Sequence, residues 1–245
     1  MSVIAAICLA SAACAGGEAA KDTAGATTDS AAVGAVRDQR ADAMSGAAAV
    51  EREAPAVLFV GTSLTAGLGL DPDSAYPAVL QRMADSAGYA VRIVNAGLSG
   101  ETSAGALRRL EWLLREPAAA VIIETGANDG LRGLDVDSTR ANLVGIVRAV
   151  KRALPGAPVL LVQMEAPPNL GDEYTRRFHE NYPAVARSEG VVLVPFLLAG
   201  VAGDRRLNQA DGIHPTAAGA RVVARNIWPT LAPYLARLAK KGGSG

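Results

Sequence analysis

The sequence predicts an α/β fold: a single doubly wound, flavodoxin-like domain with a five-stranded parallel sheet and helices on both faces. Two observations lead to this prediction. Short apolar segments alternate along the chain with longer segments whose apolar residues recur at helical spacing. The short segments are also apolar at consecutive positions, which is typical of strands buried on both faces.

The predicted strands are Val57–Val60, Val91–Val94, Ala119–Glu124, Val159–Val162 and Val191–Val194. Gly61 allows the backbone to turn sharply after the first strand, where Ser63 follows. The carboxyl ends of parallel strands meet at one edge of a sheet, where open α/β folds bind their ligands. We therefore expect the loops that carry Ser63, Gly100 and Asn128 to open on one site.

Helical segments follow each of these strands. They are Tyr76–Ala87, a helix from Ser103, a helix that contains residues 143–154, Asp172–Ser188, and a last helix from about Thr216. Gly88, Pro155-Gly156 and Gly190 end three of them. Pro229 is expected to kink or break the last helix, because proline lacks an N–H and collides with the preceding turn.

Composition places these elements in one domain, residues 55–238, with a flexible tail at 239–245. Residues 17–54 are rich in small and charged residues and cannot bury enough apolar surface to fold, so we expect a flexible tether. Lys and Arg number 24, as do Asp and Glu. This balance argues against nucleic acid or an anionic membrane as the main partner.

Residues 1–16 have the character of an export segment. The apolar run from Val3 to Ala13 is too short to span a bilayer, and small residues precede Cys14. This pattern resembles a bacterial lipobox, which would make Cys14 the lipidated first residue and the protein an envelope-anchored lipoprotein. The alternatives to a lipoprotein are a cleaved signal peptide with a periplasmic product and a plain disordered tail.

The chain has only two cysteines, Cys8 and Cys14, and two histidines, His179 and His214. A disulfide framework, a cysteine nucleophile and a thiolate metal site are therefore excluded for the folded part. The histidines alone do not complete a metal-ligand set, so we expect neither metal nor cofactor. His179 lies among charged residues of a predicted helix, which is typical of a solvated face.

His214 has Asp211 three residues before it and Pro215 directly after it. One turn of backbone can bring the Asp211 carboxylate to the Nδ1–H of the histidine, which leaves Nε2 free to take the proton of Ser63, as in a Ser-His-Asp triad. Taken alone, each motif has a simpler interpretation: an Asx-turn for Asp211 and a small-residue turn for Ser63.

An acyl-transfer site also needs hydrogen-bond donors for an oxyanion. The N–H groups of Ser63 and Gly100 and the side-chain amide of Asn128 are the candidates, although Gly100 and Asn128 singly are more often turn residues. The glycines near Ser63 match neither a Rossmann fingerprint nor a P-loop, and the nucleophile elbow of α/β-hydrolases is incomplete.

Four blocks together resemble the SGNH hydrolases of the GDSL family, and most closely the bacterial thioesterase, lysophospholipase and arylesterase branch. They are Gly61-Thr62-Ser63-Leu64, Asn95 through Ser103, Gly126 through Gly133, and Asp211 through Pro215. The blocks occur in family order and the resemblance covers about residues 56–236. Thr62 departs from the family pattern, because it replaces the aspartate of the Gly-Asp-Ser-Leu signature.

The resemblance implies Ser63 as nucleophile, His214 as general base and Asp211 as its orienting partner, with an oxyanion hole from Ser63, Gly100 and Asn128. It implies a serine esterase or thioesterase acting on small-molecule acyl esters or thioesters. A monomer is our default expectation. Residues Gly130 to Leu134 are similar to a mobile substrate-binding segment of this branch. A carbohydrate O-acetyl esterase and a non-catalytic envelope binding module are the alternatives.

Overall fold

The computed structural model describes residues 54–242. Their centre is one parallel sheet of five strands in the order β2-β1-β3-β4-β5, the flavodoxin-like order. The strands are β1 (Ala56–Gly61), β2 (Arg92–Gly97), β3 (Ala120–Ile123), β4 (Val159–Val162) and β5 (Val192–Val194). The predicted fold class is confirmed. The export segment and tether predicted before residue 54 lie outside the described residues.

Seven α-helices occur in the described part of the chain: α1 (Ser63–Ala66), α2 (Tyr76–Ser86), α3 (Ser103–Leu113), α4 (Ala127–Leu131), α5 (Val136–Ala153), α6 (Asp172–Glu189) and α7 (Ala217–Gly242). Helix α2 packs on α7, and α5 packs on both α3 and α6. Each connection between neighbouring parallel strands contains a helix, as a right-handed crossover requires. The helices therefore form two layers that enclose the sheet.

The first strand lies at the centre of the core. All six residues of β1 are buried, and the strand pairs with β2 on one side and β3 on the other. The register places Gly61 beside Gly97 and Val60 beside Ile123. Because these three strands end at nearly the same level, the segments that follow them share one edge of the sheet.

The last helix is longer and more continuous than its sequence predicts. It contains both Pro229 and Pro233, so of the kink or break expected at Pro229 the break does not occur. The buried side chains of Ile227, Leu231 and Leu235 hold this stretch against the core. Their burial offsets the hydrogen bond that each proline removes. The helix ends at Gly242, so residues 239–242, expected in the tail, are helical.

Strand β2 also exceeds its prediction. It runs to Gly97, so Asn95, Ala96 and Gly97, which lie beyond the predicted end at Val94, are paired with β1. The segment that carries Asn128, expected as a loop, contains the short helix α4. Within the described chain, no helix combines the length and apolarity needed to cross a bilayer.

Candidate active site

Ser63 begins helix α1 directly after the central strand. Thr62 caps this helix, its hydroxyl oxygen accepting the N–H of Leu64 at 3.4 Å. A side chain at Gly61 has no room, since a Cβ there would lie 1.9 Å from Thr65 Oγ1. The glycine thus lets the helix turn back tightly on the strand. Ser63 itself is only 8% exposed, so it lies largely buried at the carboxyl edge of the sheet.

The turn from Asp211 to His214 serves two purposes. One carboxylate oxygen of Asp211 accepts the backbone N–H groups of Ile213 at 2.9 Å and His214 at 3.0 Å, which is an Asx-turn. The other oxygen lies 2.6 Å from His214 Nδ1. Gly212 makes the turn possible by adopting a φ of +73°. The two interpretations offered by the sequence are therefore compatible in one structure.

The far nitrogen of the same imidazole reaches Ser63. His214 Nε2 lies 2.8 Å from Ser63 Oγ, although the residues are 151 positions apart. Gln209 joins the two loops, because its amide donates to the carbonyl oxygens of Leu68 at 2.7 Å and Pro215 at 3.0 Å. Three side chains predicted from two separate motifs thus form one hydrogen-bonded line from carboxylate to imidazole to hydroxyl.

Hydrogen bonds control the charge of this line. The His214 side chain, followed by the backbone N–H groups of His214 and Ile213, lowers the pKa of Asp211 from 3.8 to about 2. Its carboxylate is therefore ionised throughout the neutral range and favours a proton on Nδ1 of the neutral imidazole. That tautomer leaves Nε2 as an acceptor facing the serine hydroxyl.

The predicted oxyanion donors lie on the segments that follow β1, β2 and β3. Among residues 54–242, no group accepts the backbone N–H of Ser63 or of Gly100. Gly100 has a φ of +77°, and its carbonyl oxygen accepts a bond from Arg132 Nη2 at 2.9 Å. The Asn128 amide donates to the carbonyl oxygen of Glu101 at 2.9 Å, which leaves one of its two hydrogens unused.

His179 does not join this cluster. Its Nδ1 lies 2.7 Å from Glu165 Oε1, and its side chain is 56% exposed. The solvated position predicted for it is confirmed. In the described part of the chain, no group of three His, Cys, Asp or Glu side chains is placed to hold a metal ion.

Glu124 was not singled out from the sequence, although it contacts the serine turn. It follows β3, is fully buried, and accepts hydrogen bonds from Thr62 and Thr65. Burial raises its pKa from 4.5 to about 7. The available signal was a carboxyl group at the end of an otherwise apolar buried strand, a place where Glu is rare.

Arg109 was also missed. Its guanidinium binds both oxygens of Glu101, at 2.6 and 2.7 Å, and donates to the carbonyl oxygens of Ala96 at 2.7 Å and Gly61 at 3.3 Å. It thereby links the ends of β1 and β2 to the segment that carries Gly100. Its position on one face of α3 gives no sign of this function in the sequence.

Comparison with known proteins shows the family of this chain. Residues 59–222 match the model of the GDSL-like lipase/acylhydrolase family. The chain belongs to this family. The match covers the serine turn and the Asp211–His214 turn, and it confirms the family predicted from the four sequence blocks.

Several members of the GDSL-like family are similar over most of their length. Esterase TesA of Pseudomonas aeruginosa is 46% identical over 183 residues, which cover 74% of this chain and 90% of TesA. Thioesterase 1/protease 1/lysophospholipase L1 of Escherichia coli K12 is 36% identical over 75% of this chain and 83% of its own. The crystal structure of the psychrotrophic esterase EstA from Pseudoalteromonas sp., inhibited by monoethylphosphonate, superposes with a TM-score of 0.70 at 32% identity, covering 74% and 98% of the two chains.

Proposed function

We propose that this protein is a serine esterase and thioesterase that hydrolyses acyl esters through an acyl-enzyme on Ser63. The observation that carries the proposal is the continuous line from Asp211 Oδ2 through His214 to Ser63 Oγ, with distances of 2.6 and 2.8 Å. Family membership supports the same reaction class. No cofactor enters the proposed reaction.

The proposed chemistry has two halves. Ser63 Oγ attacks the acyl carbonyl carbon while its proton passes to His214 Nε2, and Asp211 stabilises the imidazolium that forms. The tetrahedral intermediate collapses, and the leaving alcohol or thiol takes the proton from His214. Water then repeats the sequence, giving its proton to His214 and releasing the carboxylic acid and the free serine.

The proposed oxyanion hole uses the N–H groups of Ser63 and Gly100 and the free amide hydrogen of Asn128. Donors without an internal acceptor are ready for a developing negative charge. The contact of Asn128 with the Glu101 carbonyl fixes the direction of its amide, and the contact of Arg132 with the Gly100 carbonyl holds the segment that carries the Gly100 N–H. Loss of one such donor typically lowers turnover by about a hundredfold or more.

Exposed apolar side chains support an acyl substrate. Six large hydrophobic residues of the described chain are more than a third exposed, and five lie on segments that follow the strands at the edge of Ser63: Leu68, Leu98, Leu131, Leu134 and Ile213. A smaller apolar recess beside Ser63 and His214 is lined by Leu64, Leu68 and Leu70. An acyl chain would lie across the exposed leucines of this edge.

Hydrolysis of p-nitrophenyl acyl esters tests the proposal. We expect turnover by the full chain and a loss of at least about a thousandfold in Ser63→Ala. Equal rates for the two proteins would reject the catalytic assignment. Substitution of Ser86, an exposed serine on α2, by alanine is the matched control and should leave the rate unchanged.

An acyl-length scan distinguishes the finer activities. The names of the relatives, which include an arylesterase of Vibrio mimicus and the lysophospholipase of Escherichia coli, suggest oxyesters, thioesters and lysophospholipids. Rates on acetyl to palmitoyl esters, acyl thioesters and a lysophospholipid are to be compared with the rate on acetylated xylan. Preference for the acetylated polysaccharide would favour the carbohydrate O-acetyl esterase instead.

Export and lipidation at Cys14 belong to the same proposal and rest on the sequence of residues 1–16. Radioactive fatty acid should label the protein expressed in a bacterial host, and Cys14→Ala should abolish the label. An unlabelled wild-type protein would remove the anchor. Sedimentation of the protein at micromolar concentration tests the expected monomer.

A further inference from the structure

The carboxyl group of Glu124 binds both ends of the turn that carries Ser63. Its Oε2 accepts the backbone N–H of Thr62 at 2.8 Å and the hydroxyl of Thr65 at 2.7 Å. The Thr62 hydroxyl lies 3.0 Å from each carboxyl oxygen. Thr62 directly precedes Ser63 and Thr65 follows two residues later, so the turn is held on both sides of the nucleophile.

The hydrogen-bond directions extend this contact to α2. A threonine hydroxyl has a single proton, and Thr65 gives it to Glu124. The Tyr76 hydroxyl, 2.7 Å from Thr65 Oγ1, must therefore be the donor to Thr65. Tyr76, Thr65 and Glu124 form a directed chain that ends on the carboxyl group, and all three are fully or almost fully buried.

No cation of the described chain pairs with Glu124. The titratable groups that face it are the phenols of Tyr76 on α2 and Tyr182 on α6. Burial raises the pKa of both phenols well above 10, so they stay neutral in any ordinary assay. Glu124 is thus the group of this buried cluster whose charge can change near neutral pH.

Thr62 suits a buried glutamate. An aspartate at position 62, as in the Gly-Asp-Ser-Leu signature, would place a second carboxyl group against Glu124, and two such acids in a buried site cannot both ionise. The threonine hydroxyl can donate to an ionised Glu124 or accept from a protonated one. Thr62 can therefore hydrogen-bond its buried neighbour in either charge state of the carboxyl group.

We propose that Glu124 is a positioning residue: through Thr62 and Thr65 it fixes the turn that holds Ser63 Oγ 2.8 Å from His214 Nε2. The inference rests on the proposed function of Ser63. Glu124 acts only through the threonines and does not contact the substrate. Its loss should therefore slow the chemical step and leave substrate binding intact.

Steady-state kinetics of Glu124→Gln in the full chain test this inference. Glutamine keeps the shape but has one acceptor oxygen in place of two, so the turn loses part of its anchor. We expect kcat on p-nitrophenyl butyrate to fall about tenfold to a hundredfold, with KM within about twofold of wild type. The ratio of the two kcat values should change between about pH 6 and pH 8, because residue 124 can change its charge there only in the wild type.

Thr65 provides the matched pair of variants. Thr65→Val removes the hydroxyl that donates to Glu124, whereas Thr65→Ser retains it. We expect Thr65→Val to lower kcat and Thr65→Ser to restore most of it. Val150→Ala, a core change in α5 away from the site, controls for lost stability and should keep the wild-type kcat.

The outcomes separate this inference from the proposed function. Equal turnover by wild type and Ser63→Ala would refute both. An inactive Ser63→Ala together with wild-type kcat for Glu124→Gln, at every pH, would overturn the positioning role alone. If Glu124→Gln does not fold, the Thr65 pair decides: equal kcat for Thr65→Val, Thr65→Ser and wild type overturns it.

Discussion

The described chain contains two histidine–carboxylate pairs of nearly equal geometry. In one pair His214 Nδ1 lies 2.6 Å from Asp211, and in the other His179 Nδ1 lies 2.7 Å from Glu165. The carboxylate of the first pair is the more exposed, at 45% against 31%. The imidazoles differ in the opposite sense, since His214 is 17% exposed and His179 is 56% exposed.

The difference between the pairs lies at the second ring nitrogen. His214 Nε2 meets the hydroxyl of Ser63, whereas the His179 ring hydrogen-bonds only Glu165 among residues 54–242. A carboxylate beside a histidine is therefore no sign of catalysis by itself. What distinguishes a base is a proton donor on its far side, held there by an independent part of the chain.

Replacement of each histidine by glutamine should give the largest contrast. His214→Gln removes the proposed base and should lower kcat/KM by about a thousandfold or more. His179→Gln should change it by less than about twofold, since the ring is solvated. Ester hydrolysis at saturating and limiting substrate measures both. A large loss in His179→Gln would contradict the distinction drawn between the pairs.

Replacement of the two carboxylates should give the second-largest difference in kcat. Asp211→Asn replaces the acceptor that holds the Nδ1 proton and should lower kcat by about a hundredfold to ten-thousandfold with the fold retained. Glu165→Gln makes the same chemical change in the other pair and should leave kcat unaltered. Circular dichroism checks the fold of each variant. Similar kcat values for the two would show that the Asp211 contact only caps its turn.

Glu124 extends the comparison to a fully buried carboxyl group. Its pKa is raised to about 7, so between pH 4.5 and 7 the unfolded chain releases this proton before the folded chain does. Stability from this group is thus greatest at low pH and falls as pH rises to about 7, by roughly 3 kcal/mol in total. Urea unfolding of wild type and Glu124→Gln measures this: the difference between their free energies of unfolding should change with pH across this range. A difference in free energy of unfolding that does not depend on pH would refute the raised pKa of Glu124.

Asp211 should show the opposite sign at lower pH. Its pKa is lowered to about 2 in the folded chain, so its ionised form contributes stability above pH 3.8 that is lost as pH falls through 2. The difference in unfolding midpoint between wild type and Asp211→Asn should therefore close between these pH values. The carbon-13 chemical shift of the carboxyl group reports the titration directly. A titration midpoint of the Asp211 carboxyl group near pH 4 would contradict the contact with His214.

The exposed pair of His179 and Glu165 should contribute little to the free energy of unfolding. Glu165→Gln and His179→Gln should each change the free energy of unfolding by less than about 0.5 kcal/mol, because water and salt screen a contact at the surface. Thermal unfolding at low and high salt measures this. A loss several times larger would mean that the pair also anchors α6.

Much of this arrangement was predictable from the sequence. Consecutive apolar residues indicated buried parallel strands, and their alternation with helices gave the sheet order. Each block of the site is local in sequence, and the fold rule that parallel strands end at one edge brought Ser63, Gly100 and Asn128 to the same region. Asp211 and His214 are only three residues apart, so one turn was enough to relate them.

The missed residues act over long separations. Glu124 is 62 residues from Thr62, and Arg109 is 48 residues from Gly61. Their partners depend on which side chains face each other across the assembled sheet, and no local pattern encodes this. The continuity of α7 through Pro229 was missed for a related reason, since packing of Ile227 and Leu231 overrides the local preference of proline.

The hydroxyl and its partner imidazole stand near opposite ends of the folded sequence, at positions 63 and 214. A ribosome therefore synthesises the proposed nucleophile long before the proposed base. On this proposal, nascent or truncated chains that stop short of position 214 hold a serine without its base and cannot hydrolyse esters. Turnover then appears only after β1 and the Asp211–His214 turn have met, which makes turnover itself a readout of folding.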